Sequence, residues 1–347
     1  MRLAPSPSRR DFLRNAALVG AAASVGAWVP GCSARPSSAA RACGPESDAA
    51  GGGVDAGGPG DAGLAADAAA LDDAGRGVGL DLTDLPYRQD DPAWCGDLMW
   101  DRALVLQADM RLNGDTRAGA ESLLRKFPEG NTIGNEGCQL TCFAMVLRLL
   151  APEATPAWTP KRLNKAAQDA YFYTLCGLSM TTLYADLVAE MTNGRVQLVA
   201  KEEYLPGVEG WKRLDATTAP LVRAYRSLPL AKRRDLAVMV KTGTYDDTIA
   251  SHYVLLEPTS TDTPETKDAA LLDPAQPRDS QKRPWRLSDS AAAITVDPDI
   301  AKGWAASGIT PTQLGGAWVF ARVLPTTGRA AAAELIRAWG NELSEPR

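Results

Sequence analysis

Histidine is nearly absent from this chain: its 347 residues contain one, His252. That scarcity argues against a zinc site built on imidazoles, and no Cys-x-x-Cys pair offers a thiolate alternative. No apolar run reaches the roughly 20 residues that a membrane-spanning helix needs. No internal repeat is present. No basic patch stands out, and the formal charge is -5, so nucleic acid is not an expected partner. Neither a metal nor a cofactor is expected.

What is there begins with an address. Ser8-Arg9-Arg10-Asp11-Phe12-Leu13 precedes an Ala- and Gly-rich apolar stretch from Ala16 to Trp28. A twin arginine, then Phe-Leu, then a weakly hydrophobic run is the pattern read by the twin-arginine export machinery. Val29-Pro30-Gly31-Cys32 closes this segment. It is similar to a lipoprotein cleavage box, which makes Cys32 the candidate lipidation site, although Pro30 stands where small residues are usual. Residues 1–32 are therefore read as an export signal. Removing them takes away three net positive charges and leaves the mature chain near -8. Residues 33–84 are mostly Ala, Gly, Asp and Ser. Such a composition buries too little surface to offset its ordering entropy, so a flexible tether is expected. The expected location is the periplasm or cell envelope, or the secreted fraction, with membrane contact only through a lipid anchor.

Element signals run from about residue 85 to the C-terminus, one domain over 85–347. Cys138 to Leu150 predicts a helix. Thr159-Pro160 caps another over 160–170. Ser179 opens a helix over 180–192 that Asn193-Gly194 ends, and shorter helices are expected at 219–228 and 329–339. Strands are expected over 236–241, 252–257, 269–273 and 317–324, with 274–315 irregular. Helices first and strands later give an α+β fold.

Three residues have the makings of a reactive site. Cys138 follows Gly137 and opens a helix, where the positive end of the helix dipole favours a thiolate. Gly137 permits a sharp turn and a close backbone approach. His252 begins a strand. Asp273 ends the next one, just before Pro274. An antiparallel hairpin of these two strands brings His252 and Asp273 to the same sheet edge, where the carboxylate can hold the imidazole in one tautomer. Each residue also has a plain alternative: a buried or bridged cysteine, a structural histidine, and a turn aspartate.

Gly137-Cys138-Gln139-Leu140-Thr141-Cys142-Phe143-Ala144-Met145-Val146-Leu147 resembles the nucleophile helix of the bacteriocin-processing-like cysteine peptidases, whose usual form is Gly-Cys-x-x-Thr-Ser-x-Ala-Met-Val-Leu. Thr132-Ile133-Gly134 and the run from Thr159 to Asn164 fit the same pattern. Met239-Val240-Lys241 with Ser251-His252-Tyr253-Val254-Leu255 resembles the family's histidine strand. Leu272-Asp273-Pro274-Ala275 resembles its Asp-Pro-Ala turn, and Gln107-Ala108-Asp109 its Gln-x-Asp opening. The resemblance spans about 105–275, in the order Cys, His, Asp.

The resemblance implies a papain-like α+β fold, a helical half carrying the cysteine and packed on an antiparallel sheet. It implies Cys138 as nucleophile, His252 as general base and Asp273 as orienting carboxylate. A peptide or protein substrate, cell-wall peptide included, and a monomeric state are expected. An oxyanion hole is expected from the Cys138 N–H and a side-chain amide, with Gln107, Asn131 and Asn135 as candidates. Cys142 stands where relatives commonly have Ser. Core packing, a disulfide to Cys176 and a disulfide to Cys138 are its three expected fates. The segment 195–235 and the tail after 300 are expected to lie beyond the family's core. Two other functions share these residues: a catalytically inactive papain-fold binding module at the cell surface, and a cell-wall endopeptidase or acyl transferase.

Overall fold

Residues 138–150 have almost no polar face, and they form a helix that is buried nearly all round. In the computed structural model, eleven of its thirteen residues are buried. The structure describes residues 85–100, 130–154, 157–169, 173–174, 177–178, 191–203, 214–242, 252–275, 285–289, 312–323 and 327–344. The export segment with Cys32, the linker 33–84, Gln107 and Cys176 lie outside the described residues.

The described elements are β1 (Leu98–Trp100), β2 (Asn131–Thr132), α1 (Ile133–Glu136), α2 (Cys138–Leu150), α3 (Pro160–Asp169), β3 (Tyr173–Thr174), β4 (Gly177–Leu178), β5 (Val196–Glu203), α4 (Pro220–Ser227), α5 (Leu230–Arg233), β6 (Leu236–Thr242), β7 (His252–Leu256), β8 (Ala270–Leu272), β9 (Trp285–Arg286), β10 (Leu314–Arg322) and α6 (Thr327–Ser344). The expected α+β class is observed. Six strands form one sheet in the order β5-β10-β6-β7-β8-β9, and every neighbouring pair is antiparallel.

Alternation along the strands divides the core in two. One face of the sheet presents Ala237, Met239, Leu255, Trp318 and Phe320 to α2 and its neighbours. The other presents Val238, Val240, Val254, Leu256 and Val319 to α4 and α6, whose Leu221, Val222, Tyr225 and Leu335 fill the gap. The sheet is thus covered by helices on both sides, where a single helical half was expected. Phe143 of α2 meets Phe320 of β10 with ring centroids 5.6 Å apart, worth about 0.5–1.5 kcal/mol beyond the area buried. That contact helps fix α2 against the sheet.

The segment 195–235 supplies β5, and the tail after 300 supplies β10, which lies inside the sheet between β5 and β6. Two expectations are corrected in detail. The stretch 274–315 contains β9, and the terminal helix spans 327–344, longer at both ends than 329–339. Thr159 caps α3 as expected, its Oγ1 accepting the Arg162 N–H at 3.2 Å. Asn193 and Gly194 take φ values of 50° and 76° directly after helical residues 191–192, the left-handed stop that their sequence predicts.

Candidate active site

Gly137 separates α1 from α2 and sets where Cys138 begins its helix. A Cβ at Gly137 would stand 2.4 Å from the Ile133 carbonyl oxygen and 2.6 Å from Ile133 Cγ2. No side chain fits there, so the two helices meet this closely only through glycine. Cys138 is the first residue of α2 and is partly exposed. Its backbone N–H belongs to the first turn, whose donors have no partner within the helix.

One turn later the Cys142 thiol donates to the Tyr253 carbonyl at 3.1 Å. This bond pins α2 across β7 and sets Cys138 over the strand's first residue, His252. The Cys138 side chain lies near enough to the His252 ring to act on its protonation. Thr242 of β6 holds that end of the strand, its hydroxyl donating to the His252 carbonyl at 3.1 Å.

The expected hairpin is present. β7 and β8 pair antiparallel with Leu255 opposite Leu272 and Leu256 opposite Leu271. Continued by one residue, this register sets Asp273 beside Val254, diagonal to His252. His252 Nε2–H donates to Asp273 Oδ1 at 2.7 Å. The same oxygen accepts the Ala275 N–H at 2.8 Å. A carboxylate can only accept, so the Nε2 proton is fixed and Nδ1 is the ring atom left for Cys138. Asp273 is 1% exposed and His252 8%. Burial opposes charge on the imidazole. The Asp273 carboxylate, and after it Cys138, outweigh burial and raise the His252 pKa to about 10. At neutral pH the ring is an imidazolium held between a carboxylate and a sulfur.

Gln89 joins the site from a loop that the sequence reading passed over. Its backbone N–H donates to the Pro274 carbonyl at 2.7 Å, and its Nε2–H to the Gly134 carbonyl at 3.0 Å. The residue therefore links the turn after Asp273 to the turn before Cys138. The signal for it was present. Gln-x-Asp occurs twice, as Gln89-Asp90-Asp91 and as Gln107-Ala108-Asp109. Asn131 is fully buried in β2, its Oδ1 accepting the Thr132 N–H at 3.0 Å while Nδ2 has no partner. Asn135 is half-buried in α1.

The cysteines separate cleanly. Cys138 and Cys142 are free, so neither expected disulfide of Cys142 forms. Burial, then the nearby Cys138 and Asp273, push the Cys142 thiol well above its ordinary pKa. Cys95 is disulfide-bonded, and its carbonyl accepts the Gly134 N–H at 2.8 Å, bracing the same turn that Gln89 holds.

The arrangement offers a sulfur at a helix start, a charged imidazole against it and a carboxylate behind. It can support attack by the sulfur on an electrophilic carbon with proton return from the ring. No family model, no curated protein and no solved structure matches the chain.

Proposed function

We propose that the chain is an exported cysteine peptidase or amide hydrolase of papain-like fold, similar to the bacteriocin-processing-like peptidases, acting through Cys138, His252 and Asp273. One observation carries this reading: the buried ring of the chain's single histidine is bonded to Asp273 at 2.7 Å and is acted on by the Cys138 side chain. Chance burial of a histidine does not require a nucleophile on one side and a doubly bonded carboxylate on the other.

In this reading the Cys138 thiol has passed its proton to His252, and the resulting thiolate attacks the carbonyl carbon of a peptide bond. The His252 imidazolium gives its Nδ1 proton to the leaving amine, and the resulting acyl-thioenzyme is hydrolysed by a water that His252 deprotonates. Asp273 holds the ring throughout. The Cys138 backbone N–H supplies one oxyanion donor. Gln89 supplies the other, because its amide nitrogen carries two hydrogens and only one is engaged by Gly134. The twin-arginine segment and Cys32 support export and lipid anchoring at the cell envelope, with peptides, cell-wall peptides among them, as substrates.

A thiol-reactive peptidyl inhibitor tests the reading. It should modify Cys138 stoichiometrically and leave Cys142 unmodified, as peptide mapping by mass spectrometry would register. A folded, reduced protein that resists labelling at Cys138 would overturn the mechanism. Within the same mechanism, Gln89→Ala should lower kcat by about 10²–10³ with little change in KM, the loss typical of one oxyanion donor. Steady-state kinetics on a cleaved peptide read this directly, and an unchanged kcat would remove Gln89 from the oxyanion hole.

A further inference from the structure

A second polar site lies at the opposite end of β7 from His252. Three large side chains of α4 and α5 are buried there: Tyr225 at 1% exposure, Arg226 at 4% and Arg233 at 7%. Each has a donor with no partner, namely Tyr225 Oη, Arg226 Nη2 and Arg233 Nε. Their other bonds go to backbone carbonyls, Arg226 Nη1 to Ala216 at 2.8 Å and Arg233 Nη1 to Asp262 at 3.4 Å. Among the described residues no carboxylate comes within ion-pair distance of either guanidinium. The Asp262 carboxylate is engaged by Arg286 Nη1, 2.9 Å from both oxygens, and Glu257 Oε1 accepts the Thr259 hydroxyl.

The same three side chains line a small, partly open cavity together with Glu257, Ser260 and Asp262. It has room for one water-sized occupant. Buried donors are almost always satisfied, and buried charges are almost always paired. Two guanidinium groups and a phenol that break both rules around one cavity point to a missing acceptor. The lining sets Arg226 and Arg233 against Glu257 and Asp262, and Asp262 is already engaged by Arg286 from outside the cavity. Glu265, which also acts on Arg226, is exposed and screened by solvent. Burial pushes the Tyr225 phenol up, so it remains a donor. A water molecule accepts two hydrogen bonds and brings two hydrogens of its own. A monatomic anion accepts from all three donors and brings none.

We infer that this cavity binds one small monovalent anion of chloride size between α4, α5 and the end of β7. The site is separate from the proposed catalytic residues and does not depend on peptidase activity. Organic anions such as gluconate are too large for it.

Thermal unfolding of the purified protein, with chloride replacing gluconate at constant ionic strength, tests the inference. The unfolding midpoint should rise saturably by about 2–4 °C once chloride exceeds its dissociation constant tenfold. Bromide should act in the same way. Arg226→Met should abolish the halide dependence whatever its own midpoint. Tyr225→Phe, which removes only a hydroxyl, should shift the dependence to higher chloride. Crystals grown with bromide should show its anomalous signal between Arg226 and Arg233. Identical midpoints in chloride and gluconate, or a water with no bromide signal in the cavity, would overturn it.

Discussion

Cys138→Ala should eliminate peptide hydrolysis, lowering kcat/KM by at least about 10⁴-fold, while the circular dichroism spectrum and unfolding midpoint stay near those of the wild type. The fold should tolerate the change because Cys138 is partly exposed at the start of α2, so removing one sulfur opens no core cavity. Cys142→Ser supplies the contrast. A hydroxyl there can still donate to the Tyr253 carbonyl that now holds the thiol, so the crossing of α2 over β7 survives and most activity should remain. Burial keeps the Cys142 thiol protonated at neutral pH, which removes it as a rival nucleophile. Cleavage of a peptide library by the three proteins decides the matter. Equal cleavage by wild type and Cys138→Ala would sink the mechanism. Peptide binding without cleavage, unaffected by Cys138→Ala, would identify a binding module instead.

The parts of this site that were legible in the sequence are those set by local chemistry. Gly137 before Cys138 marks a helix start because the backbone there admits no side chain. His252 and Asp273 were recognisable as a pair because a hairpin relates the start of one strand to the end of the next, and the register of β7 with β8 keeps that relation. The parts that were not legible depend on pairing over distance. β5 carries Lys201, Glu202 and Glu203 at its end, so its local pattern is more polar than a core strand's. It becomes a sheet edge only through β10, more than a hundred residues later. The fate of Cys142 had the same character. Its position one helical turn after Cys138 allowed a disulfide, and only the tertiary structure supplied the Tyr253 carbonyl. Gln89 was hidden by repetition, since two Gln-x-Asp sequences precede the nucleophile and spacing alone does not choose between them.

Asp273 separates two effects that a single substitution would confuse, orientation of His252 and support of its charge. Asp273→Ala removes both, and kcat/KM should fall by about 10²–10⁴-fold. Asp273→Asn removes chiefly the charge. Oδ1 of the present carboxylate accepts the Ala275 N–H as well as His252 Nε2–H. An asparagine placed there is therefore held with its oxygen, not its amide nitrogen, toward the ring, and the tautomer is preserved. Because the ring stays oriented, its kcat/KM near pH 7 should fall less than that of Asp273→Ala. The pH profile should show what the charge contributes. In the wild type the carboxylate is the foremost influence raising the His252 pKa to about 10, so the imidazolium that the proposed mechanism uses to protonate the leaving amine persists into alkaline solution. Without that charge the His252 pKa falls, and the alkaline limb of kcat/KM moves to lower pH. The same linkage governs stability. A histidine whose pKa rises on folding contributes stability that is full below its unfolded value of about 6.5. That contribution is lost as the pH rises through about 10. The midpoint difference between wild type and Asp273→Asn should accordingly be largest near pH 6 and shrink toward pH 10. Coincident alkaline limbs in the two proteins would show that Asp273 orients the ring without setting its charge.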